Sequence, residues 1–318
     1  MSRTSLPGTQ RLKGLFSQTP IPGTPTSLVP ARRVLPPGVR LALMAVLFLL
    51  VIALASGVRS IAGHQPVLAV LAGAVVAVGG LAAYAAAVRA LEQRAVSELD
   101  LARAVPELRT GGLVGVGLFT ATLTLIAVFG TYAPESGGSI GGMLAVLGMM
   151  AGVAVTEEVL FRGVVFRLVE ELTGTRFALA LSAVLFGALH LVNEGATVWG
   201  ALAIGIEGGL LTAAAYAATR SLWMPIGIHW GWNFISGGVF GATVSGDDTT
   251  PVGLVRGVFS GPSAITGGGF GPEAGIFSVL VCSVATFLFL RTARRRGRLY
   301  GRGHFRAARV AGTESTTS

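Results

Sequence analysis

The chain has 318 residues, of which 52% are hydrophobic and only 12% charged, and its mean hydropathy is +0.71. A soluble domain carries about 25% charged residues, so this composition excludes a soluble globular protein and indicates a polytopic protein of the lipid bilayer. The formal net charge of +9 does not indicate a nucleic-acid partner, because its distribution fits membrane orientation, and the single Cys282 excludes a disulfide framework within the chain.

The chain begins with a basic tail and continues with eight apolar segments. Residues 1–40 carry six basic and no acidic residues and are rich in Pro, Ser, Thr and Gly, so residues 1–39 are predicted to be a disordered cytoplasmic tail. A membrane domain is predicted over 40–290, and a second basic cytoplasmic tail over 291–318. The predicted fold is all-α, with about eight transmembrane helices near 40–58, 66–88, 112–132, 141–163, 179–197, 198–219, 222–243 and 272–290.

The basic residues indicate which loops share one side of the membrane. If the N-terminus is inside, 22 of the 24 Lys and Arg residues fall inside, and only Arg59 and Arg256 fall outside. Cytoplasmic loops carry such an excess, so the sequence predicts a multi-pass protein of the cell membrane with both termini cytoplasmic. The inner loop 89–111 mixes arginines with acids and predicts a surface amphipathic helix. The outer stretch 244–271 is rich in Gly, Ser and Thr and predicts a loose loop.

Two adjacent carboxylates and an arginine interrupt the fourth apolar segment. Charged groups at membrane depth cost roughly 2.5–3.5 kcal/mol each on insertion scales, so Glu157, Glu158 and Arg162 indicate more than packing. Glu158 and Arg162 are four residues apart and share a helix face, whereas Glu157 points about 100° away. We predict that Glu158 and Arg162 form a structural pair and that Glu157 faces a cavity.

Helical spacing predicts that polar residues of the fifth and seventh segments lie at the depth of Glu157. Gly174 is predicted to end the fourth helix, and Glu157 lies 17 residues before it while His190 lies 16 residues after it. In an antiparallel hairpin these two side chains have similar depth. His229 and Asn233 share a helix face, and they reach the same layer if the hairpin tip projects about 12 Å into the cytoplasm, where its charged residues would be solvated.

The resulting layer combines a carboxylate, two imidazoles and an amide, which suits peptide-bond hydrolysis in a cytoplasm-facing cavity. Glu157 could act as general base on a water that one of the two histidines orients, while the other histidine and Asn233 donate hydrogen bonds to the developing oxyanion. Glu157, His190 and His229 could instead bind a divalent metal such as zinc, although the H-E-x-x-H motif is absent. Spacing alone does not separate a cofactor-free mechanism from a metal-dependent one.

The three motifs resemble those of the CPBP family of intramembrane proteases, also called the CAAX protease and bacteriocin-processing or Abi family. The family pattern is E-E-x-x-x-R, F-x-x-x-H and H-x-x-x-N, and its counterpart here lies within residues 140–240. The matching positions are Glu157, Glu158, Arg162, Phe186, His190, His229 and Asn233. The resemblance implies that Glu157 and His190 activate the water and that His229 and Asn233 stabilise the oxyanion or complete the site. The supporting residues are Glu158, Arg162 and Phe186. The resemblance also implies a peptide or membrane-protein substrate, which is prenylated in the eukaryotic branch.

Other functions compete with this interpretation. A non-catalytic scaffold or immunity protein could use the same fold. A proton-coupled transporter could use Glu157, Glu158, Glu207 and Arg162 as a relay, but the sequence shows no internal repeat. Ser139 lies in a G-x-S-x-G sequence typical of serine hydrolases, yet it is 18 residues, or roughly 27 Å, from Glu157 along one helix. Glu207 receives no role in the predicted site.

Overall fold

A computed structural model describes four stretches of the chain, residues 34–62, 65–129, 132–247 and 250–304. Most of the predicted N-terminal tail, and residues 305–318 of the predicted C-terminal tail, lie outside the described residues. The described chain is all-α apart from one antiparallel ribbon of β1 (Tyr132–Glu135) and β2 (Arg256–Phe259). Its long helices are α1 (Pro37–Ala62), α2 (Pro66–Glu92), α3 (Ala104–Val128), α4 (Ile140–Thr173), α5 (Thr175–Val192), α6 (Val198–Thr219), α7 (Trp223–Asn233, continued by a π turn over Phe234–Val239) and α8 (Ile276–Arg295).

Each of the eight predicted segments forms a helix. Seven helices of the described chain are long and apolar enough to cross a membrane. The remaining helix, α7, has 11 residues before its π turn and 6 within it, so it is only about 26 Å long. Its neighbours bury most of it. The polytopic all-α fold is therefore confirmed, with seven clear spans and one short, enclosed helix in place of eight comparable spans.

Contacts between helix ends show which loops share one side of the bundle. At the terminal end, which holds the start of α1 and the end of α8, Arg40 pairs with Glu171 at 2.9 Å. At the opposite end, Arg59 near the end of α1 pairs at 2.9 Å with Asp247 of the loop between α7 and α8. Successive helices therefore alternate in direction, and the loops fall into two sets, one at each end.

The predicted end of the fourth helix agrees with the structure. The fourth helix stops at Thr173, and Gly174 follows with a φ of +92°, a conformation that favours glycine. Arg220 ends α6 with a φ of +57°, and residues 193–197 form the short connection between α5 and α6. The hairpin of α4 and α5, on which the depth comparison rests, thus has its apex at the predicted glycine.

Two loops differ from their predictions. The stretch 244–271 contains β2 and short helical turns in its described part, so it is not a loose loop. The stretch 89–111 holds no separate surface helix, because α2 continues to Glu92 and α3 begins soon after. Glu92 and Glu98 are 6% and 3% exposed and lie in ion pairs. Glu92 pairs with Arg167 of α4, and Glu98 pairs with Arg94 of the same loop. An amphipathic sequence pattern does not predict either pair.

Glycines allow α3 to approach α7, the helix that carries His229. A Cβ added to Gly115 would lie 2.1 Å from the carbonyl oxygen of Ile228, and one added to Gly111 would lie 2.5 Å from that of Met224. Small residues permit such close packing of helix backbones in lipid. The position of His229 therefore depends on the bare backbone of α3.

Gly115→Val is expected to destabilise the protein, because overpacking a close contact costs about 1–3 kcal/mol and occasionally more. Gly117→Val is the matched control, since it adds the same side chain to the same helix where nothing lies within 4 Å of a Cβ. Thermal unfolding in detergent should give a clearly lower Tm for the first variant than for the second. Equal Tm values would contradict the close packing of α3 on α7.

Candidate active site

The four polar residues proposed from the sequence surround one cavity inside the helix bundle. Glu157 comes from α4, His190 from the last turn of α5, and His229 and Asn233 from α7. All four line a cavity of about 170 Å³. The rest of its wall consists mainly of apolar side chains from α1, α2 and α4. The three helices that were expected to build the site are the ones that meet here.

Glu157 and His190 face each other at the wall of the cavity. Glu157 Oε2 lies 4.0 Å from His190 Nε2, and the two side chains are 13% and 8% exposed. The carbonyl oxygen of Phe186, one turn earlier on α5, lies 2.8 Å from His190 Nδ1. Because a carbonyl oxygen only accepts, Nδ1 carries the proton and Nε2 is the nitrogen turned toward Glu157. Glu157 Oε2 is buried and has no hydrogen-bond partner among the described residues.

Glu158 joins the arginine of the first motif to the second histidine. Its Oε1 lies 2.9 Å from Arg162 Nη1 and 2.9 Å from His229 Nδ1, and both Glu158 and Arg162 are fully buried. Spacing predicted the pair within α4 but not the contact with α7. Glu158 therefore fixes the orientation of His229, whose Nε2 points away from the carboxylate.

Widened helical turns accommodate Arg162. The helix α4 passes through a π turn at Val159–Phe166, and α6 contains another at Gly205–Leu210. Such turns replace the usual backbone bonds by i→i+5 bonds and often occur at functional sites. Arg162 Nη2 donates to the carbonyl oxygen of Gly209 at 2.8 Å, and its guanidinium lies 4.8 Å from the ring centre of Phe186. Phe186 also packs against both histidine rings, so it holds the charged layer together.

Asn233 completes the polar part of the wall. It lies one turn after His229 on α7 and is 4% exposed. Its Nδ2 is 3.7 Å from the sulfur of Met150, a weak acceptor, so the amide can donate to a stronger acceptor in the cavity. Trp230 anchors this part of α7 to α4 by donating to the carbonyl oxygen of Leu147 at 3.0 Å.

The cavity extends toward the opposite end of the bundle. Its lining includes Arg59 from the end of α1, Asn193 from the connection between α5 and α6, and Asp247 from the loop after α7. Among the described residues, none from the loops of the terminal end lines it. The sequence predicted both cytoplasmic termini and a cytoplasm-facing cavity, and the described loop residues in the cavity lining all come from the end opposite the termini. The spacing of residues along α4 and α5 predicts the depth of the polar layer, but it does not predict toward which end of the bundle the cavity extends.

Glu170 and Arg167 near the hairpin tip at the terminal end are largely buried and paired, although the sequence predicted solvated charges there, whereas Arg176 is exposed as predicted. Glu170 is 1% exposed and lies 2.5 Å from Arg220, and Arg167 lies 2.5 Å from Glu92. Burial lowers the pKa of the Arg220 guanidinium and the hydrogen bonds of Glu170 raise it, with a net rise. Tyr300 stacks over Arg220 at 4.5 Å, so residues of a predicted tail cover the tip.

Two further acids lie buried behind the polar layer. Glu207 and Glu273 are 3% and 1% exposed, and both line a small cavity of about 30 Å³ with His229 and Asn233. Burial raises the pKa of the Glu273 carboxyl, and hydrogen bonds from neighbouring donors offset this only in part. Glu207 was recognised from the sequence as an intramembrane acid without a role, whereas Glu273 was not recognised. The composition of a glycine-rich loop does not indicate that the loop folds back onto α7.

The arrangement does not fit a three-ligand zinc site. Within the described stretches, no three His, Cys, Asp or Glu side chains converge closely enough to hold a metal ion. Glu158 engages His229 Nδ1 and a backbone carbonyl engages His190 Nδ1, which are contacts that metal-binding histidines also make. The spacing of the side chains is therefore what argues against a zinc site. Of the three ligands considered from the sequence, Glu157 and His190 face each other, and His229 is directed by its own carboxylate partner.

Ser139 has a structural place at the start of α4. Its Oγ accepts a hydrogen bond from the backbone N–H of Gly142 at 2.9 Å and caps the helix. Ser139 does not line the cavity that contains Glu157. Its G-x-S-x-G sequence therefore marks a loop and a helix start, as the helical distance predicted.

Comparison with known proteins identifies the part of the chain that carries the site. Residues 139–235 match one family model, described as type II CAAX prenyl endopeptidase Rce1-like. No curated protein and no solved structure gives a match. The matched segment covers under a third of the chain but includes α4, α5, α6 and all seven motif positions. The protein is thus a multi-pass membrane protein whose residues 139–235 match the Rce1-like family model, which confirms the resemblance to the CPBP family.

Proposed function

We propose that this protein is an intramembrane endopeptidase that hydrolyses a peptide bond with a water molecule activated by Glu157. The observation that carries the proposal is the pairing of Glu157 with the unengaged Nε2 of His190 at the wall of a largely apolar cavity. A carboxylate without a protein donor, opposite an oriented imidazole, is suited to hold and deprotonate water. No covalent intermediate is needed.

Glu157 and His190 act first. The water donates one hydrogen bond to Glu157 Oε2 and one to His190 Nε2, in the tautomer whose Nδ1–H donates to the Phe186 carbonyl oxygen. As the water oxygen attacks the substrate carbonyl carbon, Glu157 takes its proton. When the tetrahedral intermediate collapses and the C–N bond breaks, Glu157 returns this proton to the leaving amine nitrogen.

His229 and Asn233 stabilise the oxyanion that forms in between. The Glu158 carboxylate accepts from His229 Nδ1 and favours the positively charged imidazolium, whose Nε2–H then donates to the oxyanion. Asn233 Nδ2 supplies a second donor from the same helix face. Arg162 acts indirectly, because it holds Glu158 in place.

The proposed substrate is a peptide segment within or at the bilayer. Apolar side chains of α1, α2 and α4 form the wall beside Glu157, so an extended apolar segment can lie next to the scissile bond. A lipidated peptide is one form of such a substrate. We place both termini in the cytoplasm on the distribution of basic residues. On that orientation substrates reach the cavity from the bilayer or from the far side, and not from the cytoplasmic face.

The detergent-purified protein is expected to cleave members of a fluorogenic library of prenylated and unprenylated peptides, and to keep this activity in a chelator. The reason is that a glutamate–histidine pair activates the water without a metal. Cleavage that co-elutes with the protein in size-exclusion chromatography excludes a contaminating protease. Activity lost in chelator and restored by zinc would replace the proposed mechanism by a metal-dependent one. No cleavage of any peptide would favour the non-catalytic scaffold.

A further inference from the structure

Glu273 lies outside the region that matches the family model, but it reaches the polar layer. It belongs to the short turn Pro272–Ala274 before α8 and is 1% exposed. Its side chain borders a space of about 30 Å³ together with His229 and Asn233. Glu273 also interacts electrostatically with His190. A carboxylate buried so close to the proposed site must be held by specific partners.

Three hydrogen bonds hold the Glu273 carboxylate. Oε1 accepts from Trp232 Nε1 at 2.9 Å, and Oε2 accepts from the backbone N–H of Ser245 at 2.5 Å and from its hydroxyl at 2.8 Å. Trp232 directly precedes Asn233 on α7 and lies three residues after His229. Ser245 lines the catalytic cavity. One carboxylate thus ties the catalytic helix to the loop that closes the cavity.

The loop around Ser245 requires support. Ser245 has a φ of +53°, a left-handed conformation that is unfavourable for residues other than glycine. Asn193 Nδ2 donates to the Ser245 carbonyl oxygen at 2.6 Å, and Asp247 pairs with Arg59 at 2.9 Å. These two contacts join the loop to α1 and to the end of α5. Glu273 adds the connection to α7.

We propose that Glu273 is a positioning residue for the cleavage reaction, which holds Trp232 and Ser245 so that the oxyanion donors of α7 and the cavity wall keep their geometry. The inference rests on the proposed function. An amide cannot replace the carboxylate, because its NH₂ group would face one of the three donors. Glu273 does not line the cavity that contains Glu157, so its loss is expected to lower kcat more than it changes KM.

Glu273→Gln is expected to lower kcat by at least about tenfold and to change KM by less than about twofold, with a peptide that the wild type cleaves. Hydrogen–deuterium exchange of residues 242–247 should become faster, because the neutral amide cannot accept from Trp232 and Ser245 together, and the loop loses its link to α7. Glu135→Gln, which neutralises an exposed acid of β1, is the matched control and should alter neither quantity. If Glu273→Gln does not fold, Ser245→Ala, which removes only one donor, should still give faster exchange and a smaller fall in kcat.

The outcomes separate this inference from the proposed function. Wild-type kcat in Glu273→Gln, beside an active wild type, would overturn the positioning role and leave the endopeptidase intact. A lower kcat with unchanged exchange at 242–247 would also overturn it, because the effect would not pass through the loop. An inactive wild type would overturn the endopeptidase and, with it, this role for Glu273.

Discussion

Glu157→Gln is expected to lower kcat/KM for peptide cleavage by at least about 100-fold, because the amide keeps the shape of the side chain but cannot accept the proton of the attacking water. Stability should not fall. Glu157 Oε2 is buried without a hydrogen-bond partner among the described residues, so the native protein gains little from its charge. Removal of a charge that no hydrogen bond of the described residues stabilises is expected to leave the Tm unchanged or to raise it.

The matched control for this variant is Glu194→Gln. Glu194 is exposed in the connection between α5 and α6, and it does not line the cavity. Its substitution by Gln therefore makes the same chemical change near the site but outside the cavity. Peptide cleavage and thermal unfolding of both variants, measured on protein extracted from membranes, check the prediction. Activity in Glu157→Gln within a few-fold of wild type would rule out Glu157 as the base.

Arg162→Met is expected to destabilise the protein by about 3–5 kcal/mol, because it leaves the fully buried Glu158 carboxylate without its guanidinium partner. Activity should also fall, since Glu158 would no longer hold His229 in one orientation. Thermal unfolding in detergent measures the first effect and peptide cleavage the second. Arg176→Met, at an exposed position near the hairpin apex, is the control and should change neither.

A double variant separates the stabilising role of this pair from its catalytic role. Replacing a buried ion pair by apolar residues is often neutral or stabilising, so Glu158→Leu combined with Arg162→Met should recover much of the lost Tm. Cleavage should stay low, because His229 has lost its carboxylate acceptor. A double variant with both stability and activity restored would contradict the role of Glu158 in orienting His229.

Distances along the helices made much of the site predictable. Glu157 and His190 are nearly equidistant from Gly174, and this spacing alone placed them at one depth, where the structure finds them 4.0 Å apart. The pair of Glu158 with Arg162 followed from four-residue spacing. The rise per residue and the number of residues per turn are the same in every α-helix, so both contacts can be predicted once the segments are known to be helical.

Contacts that depend on the path of a loop were not predictable in this way. Glu273 reaches Trp232 because the chain after α7 turns back through several glycines with positive φ, and glycine-rich composition alone indicates only a loop. The hairpin tip was expected to be solvated, yet Arg220 and Tyr300 cover it. The side on which the cavity opens depends on where α1 ends relative to its neighbours, which spacing within α4 and α5 does not report.

The π turn Val159–Phe166 divides α4 into two stretches of different helical phase. Such a turn adds about one residue to the repeat, and one residue rotates a helix by about 100°. The first stretch directs Glu157 at the cavity while the second directs Glu170 at Arg220, although both acids lie on one continuous helix. Because of the widened turn, the direction in which Glu157 points does not fix the direction in which Glu170 points. Substitutions that adapt the substrate-facing half during evolution therefore need no matching change in the half that anchors the helix at the terminal end.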